Sequence, residues 1–253
     1  MIKKIHFVWF GGRALPAAVQ SCIKSWKKYC PDFEIVRWDE DSFPVSEYRW
    51  VKEAIAKKRY AFAADFVRLK VLYDIGGVYV DTDVEIIKPI EDYIKDSFVS
   101  GILNHKIRTD DWKYCDDAGI DQRTGRRINW MGIQAGFMYS EPGHFFIRQC
   151  LKELYGDGQR AFCNKDGSDN GFVIDGQLLR LLQGHGIMYR DETQMADGGI
   201  TIYKSNIFAT RKSKDKTTVV IHWFDHSWKA HTSMKMKMKL FIKRYLYIIY
   251  RLQ

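Results

Sequence analysis

Apolar and polar positions alternate so that the chain divides into short buried strands and amphipathic helices. The apolar run over residues 5–10 predicts a strand, closed by Gly11 and Gly12. Val19, Ile23 and Trp26 recur at helical spacing over 17–29, and 34–38 reads as a second strand. Helices are predicted over 48–58 and 61–75. The later one lines up Phe62, Phe66, Leu69 and Tyr73, and Gly76 and Gly77 stop it as C-cap glycines do. Val78, Tyr79 and Val80 then form a strand that runs into Asp81, Thr82 and Asp83. Beyond residue 90, strands are expected near 98–102, 133–139 and 217–222, with helices near 144–154 and 175–184. The polar, glycine-containing stretch 106–129 reads as a long loop or small insertion, and loops of that length are more often functional than idle. The order of strands and helices in the first ninety residues predicts an α/β fold, an open sheet with crossovers and flanking helices.

At 253 residues the chain suffices for one sizeable domain, expected over 1–233, with an appendage over 234–253. The net charge of +9 is misleading until it is located. Residues 229–253 carry seven Lys or Arg and no acid, so only +2 belongs to the preceding 228 residues. A nearly neutral body lacks the basic stripe of a nucleic-acid binder, and no nucleic-acid partner is expected. In the tail, Met234, Met238, Phe241, Tyr245, Ile248 and Leu252 form one helical stripe, with basic residues over the remaining circumference. That pattern over 234–252 predicts an amphipathic C-terminal helix lying on an anionic membrane surface, the alternative being a helix packed on the domain. Five scattered cysteines without a C-x-x-C pair fit a reducing compartment. No run reaches the ~20 apolar residues of a membrane span. A cytoplasmic enzyme, peripheral on the inner face of the plasma membrane, is the expectation.

Asp81 and Asp83 stand two apart at the end of an apolar strand. With the backbone extended, a period of two would turn both carboxylates to one face, at the carboxyl edge where open α/β sheets bind ligands. Two hard oxygen donors suit Mg²⁺ or Mn²⁺ bridging to a diphosphate. Taken alone, D-x-D is more often a surface turn, but surface turns rarely follow a Gly-Gly stop and an apolar strand. A strand ending in D-x-D also occurs in aspartyl phosphatases, which place it near the domain start. Here some eighty residues precede it. A non-enzymatic adaptor acting through the basic tail is the third alternative. Asp65 and Arg68 form an i, i+3 pair among Ala61, Phe62, Ala63, Ala64 and Phe66, so the pair is expected to be half-buried and to need a partner or ligand.

The blocks at 5–12 (IHFVWFGG), 60–68 (YAFAADFVR) and 72–83 (LYDIGGVYVDTD) together resemble glycosyltransferase family 32, the D-x-D sugar transferases of capsular and lipopolysaccharide assembly and fungal mannosylation. They also look like the catalytic domain of the large clostridial glucosylating toxins. A weaker likeness returns at 219–228 (VVIHWFDHSW). The resemblance implies a GT-A-type open mixed sheet, a nucleotide-sugar donor (UDP-sugar before GDP-sugar), a glycan or lipid-linked glycan acceptor, and retaining transfer. It implies that Trp9 stacks on the base and that Val8 lines the base pocket. Asp65 and Arg68 would hold the donor sugar hydroxyls and the diphosphate side, and Tyr79 would line the sugar pocket. Asp81 would contact ribose and the metal shell, Asp83 would ligate the metal, and His222 would be a third metal or diphosphate ligand. Ser227 and Trp228 would close over the leaving diphosphate. The chain departs from the family pattern at Ala135, at Gly176-Gln177 and at His226.

Overall fold

The structure, a computed structural model, describes residues 1–104, 114, 116, 120–127 and 131–224. In chain order its elements are β1 (Lys4–Val8), α1 (Ala17–Tyr29), β2 (Glu34–Trp38), α2 (Arg49–Ala56), α3 (Tyr60–Asp74), β3 (Gly77–Val80), β4 (Val84–Ile86) and β5 (Phe98–Asn104). There follow β6 (Ile120–Asp121), β7 (Arg126–Arg127), β8 (Met131–Ile133), β9 (Phe137–Ser140), α4 (Phe145–Tyr155), α5 (Ile174–Gln183), β10 (Gln194–Ala196), β11 (Ile200–Tyr203), β12 (Phe208–Thr210) and β13 (Val220–His222).

The main sheet runs β10-β11-β5-β9-β3-β1-β2, with β8 paired to β5. β1, β2 and β3 are mutually parallel, β9 is antiparallel to both β3 and β5, and β11 is parallel to β5. This is the expected mixed open sheet. A second sheet, β12-β13-β4, stands beside it, and β6 pairs with β7. Two apolar clusters form the core. One gathers α2, α3, α4 and α5 around Trp50, Phe66 and Tyr155; the other sets Cys22 and Trp26 of α1 against β4 and β13. Burial of this kind, at about 25 cal/mol per Å² of apolar surface, is what holds the layers together.

The helices fall within one or two residues of their predicted bounds, because each is long enough to show its period. Three expectations change. The strand predicted over 5–10 ends at Val8. The run 133–139 is not one strand: it breaks at residues 134–136 between β8 and β9, where Phe137 N–H donates to the Gln134 carbonyl at 3.1 Å. The D-x-D segment is a turn, not extended strand, with Val84 N–H donating to the Asp81 carbonyl at 3.0 Å. Strands β4, β10, β11 and β12 are three or four residues long, too short to carry a readable alternation. The tail 234–252 and the residues from 225 onward lie outside the described residues. Among the described residues no helix is long and apolar enough to cross a membrane.

Candidate active site

The site is assembled at the carboxyl edge of β3. The register Ile5–Val78 and His6–Tyr79 brings β1 and β3 to the same edge side by side, so Val8 and Trp9 leave the sheet next to the D-x-D turn. Gly77, at φ +101°, starts β3 where an added Cβ would meet the Lys4 carbonyl at 2.8 Å, so the close approach of β1 and β3 calls for glycine there. After the turn, β4 pairs antiparallel with β13, Val84 opposite His222, and Trp223 N–H donates to the Asp83 carbonyl at 3.0 Å. From the other side Trp26 Nε1–H donates to the Val84 carbonyl at 2.8 Å, fixing β4 to α1. As a result Asp81, Asp83 and His222 each offer a ligand atom, all within 4.8 Å of one another. The turn, rather than the pleat of a strand, is what makes the two carboxylates converge.

His222 is 7% exposed, with Nε2 3.2 Å from Asp83 Oδ1. Burial opposes its charged form, but Asp83, then Asp81 and Asp175, outweigh this, and its pKa is raised above the ordinary imidazole value. Two carboxylates and one imidazole nitrogen with positions left open form a donor set that fits a divalent ion also taking phosphate oxygens. The cradle is shaped for such a group. A Cβ on Gly136 would lie 2.9 Å from both Asp81 Oδ2 and the His222 ring, so only glycine leaves that volume free.

Behind the acids lies a buried cation. Arg68, 5% exposed on α3, reaches Asp65 Oδ1 at 2.7 Å and Asp81 Oδ1 at 3.3 Å, and donates to the Ala135 carbonyl at 2.7 Å. Its guanidinium stands 4.7 Å from the centroid of the Tyr79 ring. Burial works against the Arg68 charge, but the facing Asp81, Asp65 and Asp175 hold it protonated. Burial pushes the Asp65 carboxyl up to about 7; Arg68 pulls it down, while Asp81 and Asp175 add to the rise. Tyr79 O–H donates to Asp81 Oδ1 at 2.9 Å. One oxygen of Asp81 is thus committed to Arg68 and Tyr79, and the other faces Gly136 and His222.

Of the residues named from sequence, the structure brings together Asp65, Arg68, Tyr79, Asp81, Asp83 and His222. Tyr79 is 1% exposed, and its hydroxyl braces Asp81. Val8 is likewise packed in the core at 7% exposure. Trp9 is partly exposed, its indole N–H donating to the Arg13 carbonyl at 2.7 Å. Ser227 and Trp228, with His226, lie outside the described residues. Ala135 stood out from sequence only as a departure from the family pattern, and Gln134, Gly136 and Asp175 were given no site role. Gly136 accepts from Asp81 N–H at 2.9 Å, Ala135 N–H donates to Asp175 Oδ1 at 3.2 Å, and Gln134 Oε1 meets His222 Nδ1 at 2.9 Å. The available signal was a Gln-Ala-Gly interruption inside an apolar run, and an acid in the first turn of a helix.

Residues 16–99, which carry Asp65, Arg68, Tyr79, Asp81 and Asp83, match the family model described as a glycosyltransferase sugar-binding region containing a DXD motif. The chain is an enzyme of the glycosyltransferase class. That settles the choice against the phosphatase and adaptor alternatives. No curated protein matches the chain. Solved structures similar to it include the PaToxG glycosyltransferase, at 16% identity over 72% of this chain and 69% of that one, with a TM-score of 0.47. The galactosyltransferase LgtC, solved with donor and acceptor sugar analogs, is 13% identical over 94% of both chains at a TM-score of 0.48. The glycosyltransferase GlyE of Streptococcus pneumoniae is 11% identical over 95% of this chain and 59% of its own, at 0.43. These likenesses are distant, and the class rests on the matched region and its site.

Proposed function

We propose that this chain is a retaining, metal-dependent hexosyltransferase of GT-A type that moves a sugar from a nucleotide-sugar to a glycan or lipid-linked glycan acceptor in surface-polysaccharide assembly. The observation that carries the reading is the convergence of Asp81, Asp83 and His222 beside the pair of buried Arg68 with Asp65. The resemblance of its blocks to glycosyltransferase family 32 and the clostridial toxins favours UDP-sugars over GDP-sugars as donors. Asp81, Asp83 and His222 would hold Mn²⁺ or Mg²⁺, the nitrogen ligand favouring Mn²⁺. When bound, such an ion neutralises charge that builds on a departing diphosphate.

The chain's own residues supply the rest. Arg68 keeps a fixed positive charge behind Asp81, preorganised so that none of its reorientation is left to the transition state. Asp65 would accept from donor sugar hydroxyls, and the face of Trp9 would receive the base. Ser227 and Trp228 would cover the diphosphate. No residue here is assigned as a covalent nucleophile; retention would come from attack of the acceptor hydroxyl on the face the diphosphate leaves. The basic amphipathic tail at 234–252 would keep the enzyme at the cytoplasmic face of an anionic membrane, where lipid-linked acceptors reside.

The test is hydrolysis of a panel of nucleotide-sugars with Mn²⁺ by wild type and Asp83→Asn. Metal-dependent release of UDP or GDP, reduced about a hundredfold or more in the variant, is the expected result. Failure to bind any nucleotide-sugar would overturn the reading, as would nucleotide-independent turnover of a simple phosphate ester.

A further inference from the structure

The side chain of Gln134 is completely buried, and both ends of its amide are spoken for. Nε2 points at the Phe208 carbonyl at 3.4 Å, and Oε1 lies 2.9 Å from His222 Nδ1. A carbonyl oxygen can only accept, so the NH₂ end must face Phe208 and the oxygen must face the imidazole; the reverse orientation would set two acceptors against each other. His222 Nδ1 therefore carries a hydrogen. The backbone allows no easy alternative, because Gln134 N–H donates to the Gly101 carbonyl at 2.8 Å and Ser100 Oγ donates to the Gln134 carbonyl at 3.0 Å. With Nδ1 occupied, the lone pair of the neutral ring is on Nε2, the nitrogen that lies 3.2 Å from Asp83 Oδ1 inside the acid cluster.

We infer that Gln134 is a positioning residue that holds His222 in the Nδ1–H tautomer, so that Nε2 is presented as a ligand to the divalent ion shared with Asp81 and Asp83. The inference rests on the metal-dependent reading above. It extends that reading to a residue 88 positions from His222 in the chain, one that touches neither the metal nor the sugar. Ligand imidazoles whose second nitrogen is held by a fixed acceptor bind metal more tightly, because orientation and basicity are set beforehand. Phe224, stacked on the His222 ring at a centroid distance of 3.8 Å, restrains the plane of the ring but not its tautomer. That choice falls to Gln134.

Two measurements test this. In metal-free wild type, above the imidazole's titration, ¹⁵N shifts of His222 should be pyrrole-type at Nδ1 and pyridine-type at Nε2. Titration with Mn²⁺ alone should then show Gln134→Leu weakened by about tenfold to a hundredfold. An Nε2–H tautomer in the wild type would overturn the assignment even if the leucine variant failed to fold. So would a folded Gln134→Leu that binds Mn²⁺ within about twofold of wild type. Absence of Mn²⁺ binding by the wild type would sink the metal reading itself and this inference with it. A wild type that binds while the leucine variant binds equally well sinks the Gln134 role alone.

Discussion

Asp81 and Gly136 meet backbone to backbone, the Asp81 amide donating to the Gly136 carbonyl at 2.9 Å while the Gly136 Cα borders the Asp81 carboxylate. The contact joins the end of β3 to the break between β8 and β9. It also brings Gly136 so close to the acids that an added Cβ would lie 2.9 Å from Asp81 Oδ2. Gly136 does not occupy the left-handed region, so alanine is acceptable to its backbone. Gly136→Ala should therefore fold, yet its Cβ would intrude on Asp81 Oδ2 and His222. Mn²⁺ affinity, followed by calorimetry, is expected to fall about tenfold or more, with thermal stability of the metal-free protein changed by less than about 2 kcal/mol.

Tyr79→Phe removes one hydroxyl and little else. The lost bond to a carboxylate, in the core, is worth about 1.5–3 kcal/mol, which urea unfolding should register as a lower midpoint with an unchanged slope. Asp81 keeps Arg68 as a partner but loses one of its two restraints. The turnover number should drop by roughly tenfold while KM for the nucleotide-sugar moves little, since a loosened carboxylate costs the transition state more than the ground state.

Asp65 gives a pH signature. Its folded-state pKa of about 7 lies above the ordinary carboxylate value, so the native protein holds a proton that the unfolded chain releases near pH 4. Stability tied to that proton is complete below about pH 4 and is lost as pH rises through about 7. His222, also raised, acts in the same direction. His6 and His144, buried with lowered pKa values, act oppositely by resisting protonation below about 6.5. Comparing variants isolates the carboxyl. Relative to wild type, Asp65→Asn in the presence of chelator should gain on the order of 1–3 kcal/mol between about pH 5 and about pH 8. A difference independent of pH would contradict the assignment.

The basic amphipathic tail is expected to act on location, not on chemistry. Removing residues 234–253 should abolish cosedimentation with vesicles rich in anionic phospholipid, since each Lys or Arg near such a surface contributes about 1 kcal/mol. Hydrolysis of a soluble nucleotide-sugar should stay within about twofold of the full chain. If the apolar stripe of the tail instead packs on the domain, the truncated protein will melt earlier and vesicle binding will not respond.

What could be read from sequence was what is local. The apolar strand into D-x-D, the Gly-Gly stop and the Asp65–Arg68 spacing each sit within one short block, and each has the position its pattern implied. The approach of His222 was suggested by resemblance alone, because it depends on an antiparallel register between two three-residue strands. Gln134 and Gly136 were hidden for a different reason. They interrupt an apolar run that otherwise reads as one strand, and nothing in the run says that its break faces the acids. Asp175 resembled any acid placed in a helix's first turn, where the dipole alone would justify it.

The pairing of β4 with β13 also has a temporal side. A ribosome that has delivered the acids at 81 and 83 has still to make the imidazole at 222, and β4 must wait for that strand to pair with it. A nascent chain stalled short of it can hold the two carboxylates but not the three-pronged grip. Competence for catalysis would thus arrive late in synthesis, at the moment one short strand docks.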